Sequence, residues 1–132
     1  MDIESIRSFC RSLPHATEGM QWGENLLFRV GGKMFALIDL DRPTPNRLAF
    51  KCTPEEFAEL IEIEGIIPAP YAARYHWVTL ERLDALDASE IERLIRDSYN
   101  MVFAKLPKKV KAQLASQRPS VSTKKRKRRR LK

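Results

Sequence analysis

The strongest chemical signal in the chain is a run of seven consecutive cations, Lys124, Lys125, Arg126, Lys127, Arg128, Arg129 and Arg130. Such a run can neutralise phosphates along a polyanion, act as a nuclear address, coat an anionic membrane or solubilise a terminus. No aromatic or apolar anchor accompanies it beyond Leu131, which argues against stable membrane docking. Attraction to nucleic acid without regard to sequence is the favoured reading. A sparser set of cations, Arg29, Lys33, Arg47, Lys51 and Arg74, lies in or beside segments of strand character, with Arg42 in a turn. The even spacing of Arg47 and Lys51 puts that pair on one strand face. They are either part of a binding stripe or ordinary solubility and edge-protection devices.

His76 and Trp77 form the other tempting pair. Trp77 could stack on a base while His76 contacts a phosphate. Neighbouring strand residues face opposite sides, so at most one of them faces a given ligand. The plainer reading makes Trp77 a core residue and leaves His76 satisfied by the proline-bearing link before it. His15 is a turn residue with a solvated surface role. Metal binding needs a cluster, and His15, His76, Cys10 and Cys52 show no ligand spacing. Nucleophilic catalysis has no G-x-S-x-G elbow, and neither cysteine stands in a nucleophile context. Gly31-Gly32-Lys33 lacks the remaining residues of a phosphate loop and joins two strands instead. The expectation is a protein without catalytic residues, metal or cofactor.

The 132 residues that must position these groups make one domain, 43% apolar, enough to bury one core. Charge is divided unevenly along them. Residues 1–104 hold 11 Lys+Arg against 17 Asp+Glu, a net of −6; residues 105–132 hold 13 Lys+Arg and no acid, a net of +13. The molecule is an acidic body with a basic arm, and the arm carries the first electrostatic case for a polyanionic partner. Apolar runs are as short as Phe35-Ala36-Leu37-Ile38, so no membrane-spanning helix is expected. The opening Met1-Asp2-Ile3-Glu4 resembles no secretory leader. With two cysteines 42 residues apart and no disulfide framework, a cytoplasmic protein with reduced thiols is expected.

Asp2 caps a helix with apolar positions Ile3, Ile6, Phe9, Cys10 and Leu13, ended by Pro14. A polar turn over 15–19 leads to extended runs at Met20–Trp22, Leu26–Val30, Lys33–Leu40 and Arg47–Cys52. Gly31-Gly32 is a hairpin turn, and 41–46 is a second turn. Thr53 caps a helix with Pro54 at its first position, Glu55 and Glu56 in the first turn, and Phe57, Leu60 and Ile61 inward. Pro68 and Pro70 predict an irregular link, and Tyr75–Leu80 a fifth strand. Asp87 and Glu90 resemble a capping box for a helix with Ile91, Leu94, Ile95, Tyr99, Val102, Phe103 and Leu106 on one face. One further short helix can form around Val110 and Leu114, and from Arg118 the composition predicts disorder. The sum is a two-layer α+β domain: an antiparallel sheet of about five strands, helices on one face, order α-β-β-β-β-α-β-α. Imperfect alternation along Lys33–Leu40 suggests that the other sheet face is only partly covered.

Several of these segments are similar to motifs of one family. They are Gln21-Trp22; Leu27-Phe28-Arg29-Val30-Gly31-Gly32-Lys33-Met34-Phe35-Ala36; and Arg47-Leu48-Ala49-Phe50-Lys51-Cys52-Thr53-Pro54-Glu55. To these add Ile67-Pro68-Ala69-Pro70-Tyr71 followed by His76-Trp77-Val78-Thr79-Leu80, and the last long helix through Ser98-Tyr99 to Leu106-Pro107-Lys108. In order and spacing they resemble the MmcQ/YjbR family over about residues 1–112. The resemblance implies a CyaY-like fold, akin to bacterial frataxin, with a double-wing arrangement and a DNA-binding role. It supplies no catalytic residues. The expected organisation is a domain over 1–112 and a basic, disordered tail over 113–132, the arm from 118 departing from the family pattern. Iron held on an acidic ridge, as in frataxins, finds only Asp2 and Glu4 on the first helix, with Arg7 and Arg11 beyond them. Glu55, Glu56, Glu59, Glu62 and Glu64 read as a solvated helix face.

The expected function is non-enzymatic DNA binding, largely non-specific. The tail supplies phosphate contacts, and Arg29, Lys33, Arg47, Lys51, Arg74 and His76 form a weaker surface on the body. The alternative is a protein-interaction or small-ligand domain whose tail only solubilises it. If all seven cations from Lys124 to Arg130 neutralise duplex phosphates, log K against log salt has a slope approaching about −6. Removal of 118–132 is then expected to abolish most of the affinity and flatten the slope, without changing sequence preference. Equal affinity and slope in the shortened chain would move binding to the body.

Overall fold

A computed structural model describes residues 1–21, 24–40, 47–70 and 72–116. Trp22, the turn over 41–46 with Arg42, Tyr71 and the cations Lys124 to Arg130 lie outside the described residues. Helix α1 (Ile3–Ser12) starts where the Asp2 carboxylate accepts the Ser5 N–H at 2.8 Å, and it buries Ile6 and Cys10. Strands β1 (Thr17–Gln21), β2 (Asn25–Val30), β3 (Lys33–Asp39) and β4 (Arg47–Lys51) follow. β1 starts earlier than the apolar residues alone suggested. Thr17 to Gln21 lie at an edge and are set by antiparallel pairing with β2, Thr17 opposite Arg29 and Gln21 opposite Asn25.

Helix α2 (Pro54–Leu60) is capped by Thr53, whose hydroxyl accepts the Glu56 N–H at 3.1 Å. Then come β5 (Ile66–Pro68), a short 3₁₀ turn over Ala73–Tyr75, β6 (Trp77–Leu80), α3 (Ala88–Ala104) and α4 (Lys108–Ala115). The described strands form one antiparallel sheet in the order β1-β2-β3-β4-β6-β5. It has six strands rather than about five. The addition is β5, inside the link expected to be irregular. An edge strand tolerates proline, because Pro68 needs no outward N–H there, and it pairs only with β6, opposite Val78. Tyr75 and His76 are not part of the strand that follows. His76 ends the 3₁₀ turn in a left-handed conformation, φ 66°, and β6 begins at Trp77. Asp87 stands at the N-cap of α3 without a side-chain cap bond, and Glu90 pairs with Arg93 at 2.9 Å instead of closing a capping box.

The core lies between the sheet and helices α1, α2 and α3. Phe28, Val30, Ile38, Leu48, Phe50, Val78 and Leu80 meet Ile6, Cys10, Leu60, Ile91, Leu94 and Ile95, all buried. α4 runs across residue 112 to Ala115, and Leu114 packs against this core, so the folded body reaches beyond the expected boundary. Gly31 and Gly32 have φ of 58° and 82°, as a tight two-residue hairpin turn requires. Gly31 has a second task. A Cβ there would lie 2.6 Å from Leu106 and 3.0 Å from Val110, so its absence seats the α3–α4 corner on the hairpin.

One polar contact organises the centre. The register shifts between Phe28, opposite Ala36, and Arg29, opposite Met34, leaving Phe35 as the extra residue of a bulge in β3. Ser98, fully buried on α3, donates to the Phe35 carbonyl at 2.7 Å and accepts the Lys51 N–H at 3.0 Å. Ala36 pairs with Phe50, so these two groups would have formed the next β3–β4 rung; the hydroxyl stands between them. Tyr99 follows with its hydroxyl on the Pro14 carbonyl at 2.6 Å and its ring edge-on to Phe35 at 5.4 Å.

Ser98→Ala leaves a buried carbonyl and a buried N–H without partners. It is expected to lower unfolding free energy by about 1–3 kcal/mol, read from urea titrations at unchanged slope; a negligible loss would show that the strands close and re-form the rung. The thiols give a second expectation. Cys10 and Cys52 are free and buried, and burial pushes their pKa values up to about 12 and about 11. Between the ordinary thiol value, about 9, and those values the folded chain holds more protons than the unfolded one. Stability is therefore full below about pH 9 and is lost as pH rises through about 11 to 12. The urea midpoint should fall between about pH 8 and pH 10, while reductant at neutral pH leaves Tm unchanged; a shift of several degrees would reveal a bridge.

Candidate functional site

With α1, α2 and α3 on one side, alternation sends a second set of side chains to the opposite face. β2 contributes Leu27 and Arg29, β3 Met34, Leu37 and Asp39, β4 Arg47, Ala49 and Lys51, and β6 Trp77 and Thr79. Across the strands Leu37 faces Ala49 and Ala49 faces Thr79; Asp39 faces Arg47 and Lys51 faces Trp77. Trp77 is therefore not a core residue. Val78 and Leu80 take the core side of β6, which leaves Trp77 half-buried on the outer face. The tryptophan separates two adjoining hollows, and Met34 and Ala72 complete their common wall.

The first hollow, about 340 Å³, is floored by Leu37, Ala49 and Thr79, closed by Ala69 and Pro70, and bounded at its far end by Asp39 and Arg47. Arg47 lies within ion-pair reach of Glu81, Nη2 to Oε2 at 3.7 Å. Its Nε is buried and has no acceptor among the described residues. Such a donor costs about 1–3 kcal/mol while it stays unpaired. The second hollow, about 350 Å³, opens where the Ser98 hydroxyl parts β3 from β4. Lys33, Lys51 and Lys105 line it together with Met101, Val102 and Leu106. Lys51 Nζ donates to the Tyr75 carbonyl at 2.8 Å. Its pKa lies below the usual lysine value, first through partial burial and then through the nearby Lys105 charge.

The structure thus gathers only some of the expected body cations. Lys33, paired with the core residue Val30, and Lys51, on the outer face, line one hollow at the same end of the sheet. Arg47 stands at the opposite end of β4 beside Glu81, and Arg29 faces outward two strands away on β2, opposite Met34 of β3. Arg74 lies on the 3₁₀ turn with its guanidinium 4.9 Å over the Tyr75 ring and a 2.8 Å bond to that hydroxyl. His76 points elsewhere: its ring packs edge-on to Phe57 of α2 at 5.6 Å. Its carbonyl accepts the Cys52 N–H at 2.9 Å, so it joins α2 to the sheet rather than serving the outer face. His15 has φ 62° in the turn after α1. Lys105 is the residue that the sequence reading did not single out. Its cue was Leu106, the last apolar position before Pro107, which fixes the end of α3 and hence where Lys105 emerges.

Acids collect on the helical side. Glu55, Glu56 and Glu59 ride on α2, and Arg93 of α3 is held by Glu56, Glu90 and Asp97 at 2.8, 2.9 and 3.0 Å. Those hydrogen bonds raise the Arg93 pKa, and the Glu90 carboxyl is held low in return. A shallow depression beside α1, bounded by Asp2, Glu4 and Glu92, shares this acidic character. Among the described residues no group of three or more His, Cys, Asp or Glu is placed to hold a metal. No described helix is long and apolar enough to cross a membrane.

Comparison with known proteins agrees with this architecture. The YjbR family model matches residues 11–101. A crystal structure of the Deinococcus radiodurans protein DR2400, a DUF419 domain, is 32% identical with a TM-score of 0.75, over 86% of this chain and 87% of that one. A Pseudomonas syringae protein, 23% identical with a TM-score of 0.64 over 77% of this chain and 99% of that one, shares the fold. No curated protein matches the chain. The family match spans the hairpin, the Ser98 helix and the Trp77 strand that together build the two hollows, and on that ground the chain belongs to the YjbR family.

Proposed function

We propose that the chain is a non-enzymatic, cytoplasmic nucleic-acid-binding protein. Its contact surface is the lysine-lined end of the sheet beside the C-terminal end of α3, and the cationic run Lys124 to Arg130 adds non-specific phosphate contacts. The observation that carries this reading is the gathering of Lys33, Lys51 and Lys105 around one hollow beside Trp77, with no acid among the residues that line it. Cations in a concavity concentrate a polyanion. The buried thiols, with raised pKa values, are poor nucleophiles at neutral pH. A second reading, a small-ligand domain, draws on the first hollow, about 340 Å³ and lined by Leu37, Ala49, Thr79 and Arg47.

The test uses the full chain in two variants, with Lys33, Lys51 and Lys105 replaced by Gln, and with Lys124 to Arg130 replaced by Gln. Neutralising the tail should leave weaker binding whose salt slope is about −2 to −3, the value for three phosphate contacts. Neutralising the three lysines should remove about that much from the wild-type slope. A lysine variant that binds like wild type would remove the body from the interface. Absence of binding by the wild-type chain would favour the small-ligand domain.

A further inference from the structure

Resting on the nucleic-acid reading, we infer that the body takes a single strand: an unpaired base stacks on Trp77 in the first hollow, and its phosphates lie along Lys33, Lys51 and Lys105. Three observations converge on this occupant. The aromatic is recessed. Trp77 is half-buried between two hollows of the sheet, with Ala69 and Pro70 rising at one side. Bases of a duplex are read by a helix or ribbon that protrudes into a groove, whereas an aromatic in a concavity is reached only by a base that has left its stack.

The polarity of the site matches a nucleotide. Apolar and aromatic groups, Trp77, Leu37 and Ala49, make a surface for a flat ring at one side of the shared wall, and three lysines line the hollow on the other. A hollow of about 340 Å³ is at the small end of the range that holds small-molecule ligands, about 300–1,000 Å³. The far end of that hollow is bounded by polar side chains, Asp39 and Arg47. Backbone phosphates along lysines and bases on a sheet aromatic are the two components of sequence-tolerant single-strand binding.

The test compares oligothymidylate of about twelve nucleotides, a duplex of the same length, and thymidine 5′-monophosphate against the full chain carrying Trp22→Phe, which leaves Trp77 as its one tryptophan. Oligothymidylate should quench Trp77 fluorescence, while the duplex binds more weakly and without quenching. Trp77→Ala should weaken single-strand binding roughly ten-fold or more without altering duplex affinity, and Trp77→Phe should restore most of the loss, with unfolding curves confirming that both variants fold. Equal quenching-free binding of strand and duplex, or equal loss of both in Trp77→Ala, overturns the inference while nucleic-acid binding stands. Monophosphate that matches the oligonucleotide in affinity overturns it in favour of a free nucleotide. Failure of every nucleic acid to bind overturns both readings together.

Discussion

A single buried hydroxyl decides where this sheet is open. Antiparallel strands close their ladders unless something stands in the way, because an unpaired backbone group away from water is costly. At the β3–β4 junction Ser98 stands in the way, satisfying the Phe35 carbonyl and the Lys51 N–H at once. The bulge at Phe35 presents that carbonyl to α3, and α3 is fixed in turn by Tyr99 against Phe35 and Pro14. From this wedge the consequences run outward. β3 and β4 part at the end where Lys33, Met34, Lys51 and Trp77 emerge, and the lysine-lined hollow lies in that gap. The same helix ends at Lys105, and the bare Gly31 lets its corner settle on the hairpin, so the third lysine reaches a gap made two strands away.

The two layers divide charge as well as burial. Helices cover one face and take most of the acids with them, and Arg93 and Arg7 are tied up there in ion pairs. A helix layer is about 10 Å thick, comparable with the Debye length of about 8 Å at physiological ionic strength. Charges on the far side of α2 are therefore largely screened from a polyanion on the outer sheet face. Net charge of the body is a poor guide to what that face attracts.

Much of the fold was legible in the sequence because it depends on local rules. Asp2 and Thr53 cap their helices, Gly31-Gly32 turns the hairpin, and Ile91 to Leu106 mark one helix face. What escaped depends on partners distant in sequence. β5 exists because β6 offers it an edge, which no property of Ile66-Ile67-Pro68 announces. Trp77 looked like core because tryptophan is large and apolar. Only the burial of Val78 and Leu80 on the helical side assigns it to the outer face. His76, taken with it as a strand residue, belongs to the preceding turn and packs on Phe57. The body cations split for a similar reason: Arg47 and Lys51 share a face, yet opposite ends of β4 give one of them an acid and the other two lysines.

The arm and the hollow are suited to different parts of one encounter. Seven adjacent cations attract phosphate at a distance and without geometry, since a flexible counter-charge satisfies them wherever it lies. Lys33, Lys51 and Lys105 are fewer, but Lys51 is anchored to the Tyr75 carbonyl and all three line one hollow. A ligand must match the spacing of positioned charges to gain from all three. The half-buried Trp77 narrows the match further, since it favours a flat ring. In the proposed function the arm would supply affinity and the hollow selection, with the hydroxyl of Ser98 holding the Phe35 carbonyl and the Lys51 N–H apart beside that hollow.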